Sequence, residues 1–137
     1  MKLKRIILRG LLVLSITLVA ILFVPKHYEV LPFSARADTQ YWTLSTGSHI
    51  GYFKIEAKGE RKKSPIIYLH GGPGGMISDA IIESLRPLSE QGYDLYFYDQ
   101  IGSGHSLRLA DISEYSVHRH QEDLQEIVVQ IGAPQVI

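Results

Sequence analysis

The sequence predicts an α/β fold: a mostly parallel sheet with helices on both faces, preceded by one membrane-spanning helix at the N-terminus. Three observations carry this expectation. From residue 39 onward, apolar runs rich in β-branched and aromatic residues alternate with segments of helical periodicity, the pattern of βαβ units. Two of those runs end abruptly in glycine-rich loops, His70-Gly71-Gly72-Pro73-Gly74-Gly75 and Asp99-Gln100-Ile101-Gly102-Ser103-Gly104-His105-Ser106. Ahead of them all stands a long apolar stretch with a basic flank.

Leu11 to Val24 is a run of fourteen residues whose only polar members are Ser15 and Thr17; counted from Ile6, with Arg9 and Gly10 included, it reaches nineteen. Nineteen helical residues at about 1.5 Å each span roughly 28 Å, close to the hydrocarbon thickness of a bilayer. Lys2, Lys4, Arg5 and Arg9 crowd its N-terminal side, so the positive-inside rule places Met1 in the cytoplasm and everything after Lys26 across the membrane. The expected organisation is a basic flank (1–5), a transmembrane signal anchor (6–24) contacting the lipid bilayer, a linker (25–38) carrying Pro25 and Pro32, and a partial α/β domain (39–137). A cleaved signal peptide, giving a secreted product, is the competing reading, because Ala35-Arg36-Ala37 offers an A-x-A site. That site is far from Val24, across Pro25, Lys26, Glu29 and Arg36, which favours the uncleaved anchor.

Tyr41 to Ser45 and Ile50 to Ala57 read as two strands joined through Thr46-Gly47-Ser48-His49 in a hairpin. Lys58 to Ser64 is a solvated loop, and Pro65 opens a third strand whose apolar residues on both faces suit a sheet covered on both sides. After the first glycine loop, Ser78 can cap a helix carrying Ile81, Ile82, Leu85 and Leu88, interrupted at Pro87 by a new turn. Gln91-Gly92 ends that segment, and Tyr93 to Asp99 is the fourth strand. Ser116 can cap a further helix with Val117, Leu124, Ile127, Val128 and Ile131 as its apolar stripe, stopped by Gly132 and Pro134. Gln135-Val136-Ile137 would begin a fifth strand.

Composition bounds the function. The chain has 137 residues, 14 basic and 14 acidic, for a formal net charge of zero, so no electrostatic bias toward nucleic acid exists. The absence of cysteine excludes disulfides, thiolate metal sites and a cysteine nucleophile within the chain. Neither glycine cluster fits a dinucleotide fingerprint, since Leu107 and Ile77 stand where third glycines belong, and no Gly-Lys-Ser/Thr makes a P-loop. No cofactor is therefore expected, and no metal. His118 and His120, two apart on a helix, project from different faces and read as surface residues.

A strand that runs into consecutive glycines brings backbone N–H groups close to a ligand, where they can stabilise a forming anion. In an α/β-hydrolase the oxyanion hole takes one backbone N–H from the loop after the third strand, and His70 to Gly75 occupies that place. The pair of loops resembles the prolyl aminopeptidase (proline iminopeptidase) family of α/β-hydrolase serine peptidases, which carries HGGPGG after one strand and D-Q-R-G-x-G-x-S after the next. The resemblance covers roughly residues 39 to 137, continuing through Asp123-Leu124 and Ile131-Gly132-Ala133-Pro134. Ile101 departs from it, standing where that family usually has arginine.

The resemblance implies the N-terminal half of an α/β-hydrolase core, acyl transfer as chemistry, and a small peptide, ester or amide as substrate, with an N-terminal proline-like residue as the family's target. Gly72 would supply the oxyanion N–H, with His70, Gly71, Pro73, Gly74 and Gly75 shaping its loop. Asp99, Gln100, Gly102, Gly104 and Ser106 are expected to be structural in the second loop. The nucleophile is missing: Ser48, Ser103 and Ser106 lie near glycines, but none stands in G-x-S-x-G. His70 and His105 precede the nucleophile's place, against the order serine, acid, histidine. The triad is thus expected after Ile137, making the chain as given an inactive fragment. Another α/β-hydrolase, such as an esterase or an epoxide hydrolase with an aspartate nucleophile, stays open, as does a non-catalytic membrane-tethered binding module.

Overall fold

The computed structural model describes residues 2–24, 36–62, 64–72 and 74–137. The chain divides into two units, residues 1–32 and 33–137. The proposed linker falls largely on residues 25–35, outside the described residues, as does Pro73.

The first unit is helix α1 (Lys2–Leu22), 21 residues long with no buried side chain. At about 1.5 Å per residue it reaches roughly 31 Å, so by length and composition it can cross a bilayer or serve as a signal sequence. Its polar Thr17 causes no difficulty in an apolar setting, because Thr17 Oγ1 donates to the Val13 carbonyl at 2.9 Å within the helix.

The second unit is built on a four-stranded sheet of β1 (Gln40–Thr43), β2 (His49–Ile55), β3 (Ile66–Leu69) and β4 (Leu95–Tyr98) in the order β1-β2-β4-β3. The β1–β2 and β2–β4 pairs are antiparallel and only β3–β4 is parallel. This mixed sheet corrects the expectation of a mostly parallel one: a hairpin must pair antiparallel with itself, and β2 then borders β4 rather than β3. A further parallel neighbour begins beside β3, where Ile137 N–H donates to Pro65 O and Ile67 N–H to Ile137 O, both at 2.9 Å.

Alternation along the strands sends side chains to two separate cores, as a pleated ribbon covered on both faces requires. Phe53, Leu95 and Phe97 pack with Ile77 and Ile82 beneath helices α2 (Asp79–Leu85) and α3 (Pro87–Glu90). Trp42, Ile50 and Tyr98 pack on the opposite face with Ile101 and with Ile127 of helix α4 (Val117–Ile131). Burial there, with the Asp123 carboxylate nearby, pushes the Tyr98 hydroxyl pKa well up. Pro87 begins α3 at its first position, where a missing N–H costs nothing, so a second short helix stands where a turn was expected.

Ser78 and Ser116 cap α2 and α4 by accepting the N–H of Ile81 and Arg119. The α4 stripe is shorter than its periodicity suggests. Val117, at the first helical position, is 76% exposed, whereas Ile127 is fully buried. Helix α4 also grips the β1–β2 turn: Ser45 N–H and Oγ donate to Glu126 at 2.8 and 2.6 Å, Thr46 Oγ1 donates to Asp123 at 2.5 Å, and Arg119 donates to Thr46 O at 2.7 Å. Near the start of the unit, Arg36 lies 5.0 Å over the Phe53 ring and pairs with Asp38 and with Asp79 at the head of α2.

Candidate functional site

Because β3 and β4 run parallel, the loops that follow them leave from the same edge of the sheet, the side on which open α/β sheets place their ligands. Hydrogen bonds between the two loops set their spacing. The ring of His70 is buried, and its Nε2 accepts the Gln100 backbone N–H at 3.0 Å while the Gln100 side-chain amide donates to His70 O at 3.3 Å. Since Nε2 acts as acceptor, the proton of the neutral ring sits on Nδ1, 3.5 Å from Gly71 O.

Asp99 forms a second tie. Its carboxylate, with no exposed surface, accepts the Ile77 N–H at 2.7 Å through Oδ1, and the His105 N–H at 2.9 Å and Nδ1 at 2.7 Å through Oδ2. Gly104 makes this possible: a Cβ there would lie 2.2 Å from Asp99 Oδ2. Ser106 completes the knot by donating to Asp99 O at 2.5 Å and accepting the Gly51 N–H at 2.9 Å. The side chains of Asp99, Gln100 and Ser106 are therefore all hydrogen-bonded to backbone, and Asp99 to the His105 ring as well.

The first glycine loop, held at His70 and again at Ile77, is open in between. Gly72 takes a left-handed conformation at φ +54°, is exposed, and its N–H finds no acceptor among the described residues. Gly75 N–H closes the turn onto Gly72 O at 3.3 Å, and a Cβ on Gly75 would come within 2.3 Å of Gly71 O. A Cβ on Gly71 or Gly74 would meet nothing within 4 Å; Gly74, at φ +79°, is set by conformation.

A cleft of about 620 Å³ opens against this loop. Its near wall is His70, Gly72 and Gly74, and its floor is Gln100, Ile101, Gly102 and Ser103. The far wall is Ile112, Tyr115, Val117 and His120. Tyr115 stacks so closely on Gly102 that a Cβ there would sit 2.4 Å from its ring, and its hydroxyl accepts the Leu109 N–H at 2.8 Å. Ile101 is 4% exposed and belongs to the Trp42 core, so an apolar contact replaces whatever a longer basic side chain would do at that place.

Among the described residues that line the cleft, Ser103 is the one serine. Its Oγ lies 3.1 Å from His70 Nε2 and donates to Gln100 O at 2.9 Å. That geometry is not a serine–base pair, because the Nε2 lone pair already receives the Gln100 N–H. Ser48 lies apart, buried beneath the hairpin turn against Arg119. His118 is exposed, 3.6 Å from Glu122, and His120, half-buried, lines the cleft. Among the described residues no three His, Cys, Asp or Glu side chains converge as a metal site would require. The far wall was not legible beforehand: the Ser116 cap marks where α4 starts, but not that its first turn closes over the β4 loop.

A second concavity, about 440 Å³ between the hairpin and α4, is lined by Ser45, Thr46, Arg119 and Glu122 among others. Its cation is already spent on Thr46 O and on Glu114, each at 2.7 Å. The cleft at the glycine loops, lined by Gly72, whose N–H has no acceptor among the described residues, is the better candidate.

Residues 64–137 match the family model described as alpha/beta hydrolase fold. Over 85 residues the chain is 36% identical to the proline iminopeptidase of Saccharolobus solfataricus, an alignment covering 62% of this chain and 26% of that protein. The chain thus spans about a quarter of that curated relative. A probable hydrolytic enzyme from Pseudomonas aeruginosa PAO1 superposes with TM-score 0.60 at 19% identity, covering 73% of this chain and 32% of that one. An esterase from Exiguobacterium antarcticum superposes with TM-score 0.55 at 24% identity, covering 70% and 32%. These two likenesses show the fold.

Proposed function

Given that the chain belongs to the alpha/beta hydrolase fold family, we propose that it forms the oxyanion-loop half of a serine hydrolase of the peptidase type, acting by acyl transfer on a small peptide with an N-terminal proline-like residue. The observation that carries this reading is exposed Gly72, its N–H without an acceptor among the described residues, at the wall of a cleft on the carboxyl edge of β3 and β4. A donor so placed can hold the oxygen of a carbonyl as it becomes an oxyanion, and it is in position before the reaction starts. His70, Gly71, Gly74 and Gly75 shape that loop. Asp99, Gln100, Gly102, Gly104 and Ser106 brace it from the neighbouring loop. The peptidase class rests on the relatives named proline iminopeptidase.

The chain contains no G-x-S-x-G, so in this reading serine, acid and histidine come from a segment after Ile137. The nucleophile there decides among peptidase, esterase and epoxide hydrolase, because one fold hosts all three chemistries. The basic flank and α1 support a single-pass anchor with the N-terminus cytoplasmic and the hydrolase unit outside. The test is to express the polypeptide extended through the coding sequence past Ile137 and assay it with a proline arylamide, matched aryl esters and an active-serine phosphonate. Phosphonate labelling with preference for the arylamide supports the reading; labelling with ester turnover alone would move it to the esterases, and no labelling would favour a non-catalytic tethered module.

A further inference from the structure

We propose that Ser103 is a substrate-positioning residue that makes the cleft prefer amides to esters. The inference rests on the cleft being the acyl-transfer site. Both inward neighbours of the Ser103 hydroxyl are acceptors: Gln100 O at 2.9 Å, and His70 Nε2 at 3.1 Å, whose ring keeps its proton on Nδ1. The single hydroxyl proton is therefore turned into the protein. What the half-buried oxygen offers to the cleft is its remaining lone-pair capacity, an acceptor and not a donor.

Gly72, whose N–H finds no acceptor among the described residues, lines the same cleft. A donor and an acceptor facing one space match the C=O and the N–H of a secondary amide. An ester presents the same carbonyl but puts an oxygen where the amide has its N–H, so Ser103 would meet lone pairs with lone pairs. Sites built to bond a substrate N–H reject analogues that lack it, because the site's own polar group is left unpaired. On the far wall Ile112, Tyr115 and Val117, beside His120, offer apolar surface that suits an aryl or alkyl substituent.

The test uses the full chain in detergent micelles and a ligand pair differing only by N–H against O, N-methylbenzamide and methyl benzoate, with dissociation constants taken from NMR shift titrations of the protein amides. The amide is expected to bind about tenfold more tightly than the ester, the value of one neutral hydrogen bond with its mismatch. Ser103→Ala should abolish that preference by weakening the amide about tenfold while moving the ester less than twofold. Ser103→Thr, which keeps the hydroxyl, should retain it. A thermal transition within a few degrees of the parent for both variants excludes collapse of the loop as the cause. Equal binding of the two ligands, no binding of either, or a preference that persists in Ser103→Ala overturns the inference. Serine labelling in the longer polypeptide together with no amide preference sinks this inference alone, whereas an amide preference without labelling sinks only the acyl-transfer reading.

Discussion

The Asp99 carboxylate and the Ile77 backbone N–H, one at the end of β4 and the other just before α2, meet at 2.7 Å in the interior. With the His105 N–H and ring nitrogen on the other oxygen, one side chain spans both glycine loops. The open stretch around Gly72 is therefore suspended between two fixed points, His70 and Ile77. Removing Asp99 should loosen the cleft wall before it unfolds anything else.

Asp99→Ala should cost about 3 kcal/mol or more, since three buried donors lose their acceptor at once. Asp99→Asn should cost less, about 1–2 kcal/mol, as one amide oxygen can still serve one side of the knot. Chemical denaturation compares the two. Equal, small losses would mean that water replaces the carboxylate and that the knot is not structural.

At Gly72 a substitution acts through backbone geometry. A Cβ there would meet nothing within 4 Å, yet the residue stands at φ +54°. Gly72→Ala should cost about 1 kcal/mol of stability, and Gly72→Val more, because a β-branched residue resists the left-handed region. In a catalytically complete polypeptide, Gly72→Val should lower turnover about 10²–10³-fold as the loop relaxes and withdraws its donor. Full turnover in a normally folded Gly72→Val protein would reduce Gly72 to a turn residue.

Acid sensitivity should show at the α4–hairpin contact. The Ser45 hydroxyl, and secondarily its backbone N–H, hold the Glu126 carboxyl below its ordinary 4.5. With the folded value below the unfolded one, the contact's contribution is complete above about pH 4.5 and is lost as pH falls through the folded value. Glu126→Gln should therefore flatten the acid limb of a plot of Tm against pH and leave the neutral plateau with the same slope. Superimposable acid limbs would show that Glu126 is not linked to stability.

Membrane placement has its own test. A reporter fused after Ile137 should be active outside the cytoplasm, and the protein should resist alkaline extraction, as expected of a spanning α1 with its basic residues held inside. A soluble product beginning at Asp38 would show cleavage after Ala37.

How much of this was legible in the sequence depends on the range of each interaction. Strands ending at Leu69 and Tyr98, and the caps at Ser78 and Ser116, are local events, and local pattern announces them. The strand order is not local: nothing in the periodicity of residues 49–55 says that β2 borders β4 antiparallel. Likewise Gly51 reads as a weak spot in a strand, and only the tertiary structure shows why it is there, since a Cβ would lie 2.7 Å from that of His105. Val117 obeys the helical period but is exposed, and its apolar side chain lines a cleft instead of a core. Tyr115 and His120 enter the site for the same reason, through the path of the chain between β4 and α4.

The last prediction is that the 137-residue polypeptide, by itself, will not react with an active-serine phosphonate. The hydroxyl facing the cleft, that of Ser103, has a histidine at 3.1 Å and an unpaired backbone donor on the same cleft, so on composition alone it could pass for a reactive serine. The hydrogen bonds argue otherwise. A base must accept the serine proton, and His70 Nε2 is already occupied by the Gln100 N–H at 3.0 Å. The nearest carboxylate, Asp99, lies 4.0 Å from that same nitrogen, not from Nδ1, where an orienting acid would have to bind. Ser106 is buried and doubly bonded to backbone, so it cannot reach a reagent. Mass spectrometry after incubation with the phosphonate should therefore find unmodified protein, with Ser103→Ala behaving identically. Stoichiometric modification at Ser103 would mean that the His70–Gln100 bond opens in solution and that the chain holds its own nucleophile.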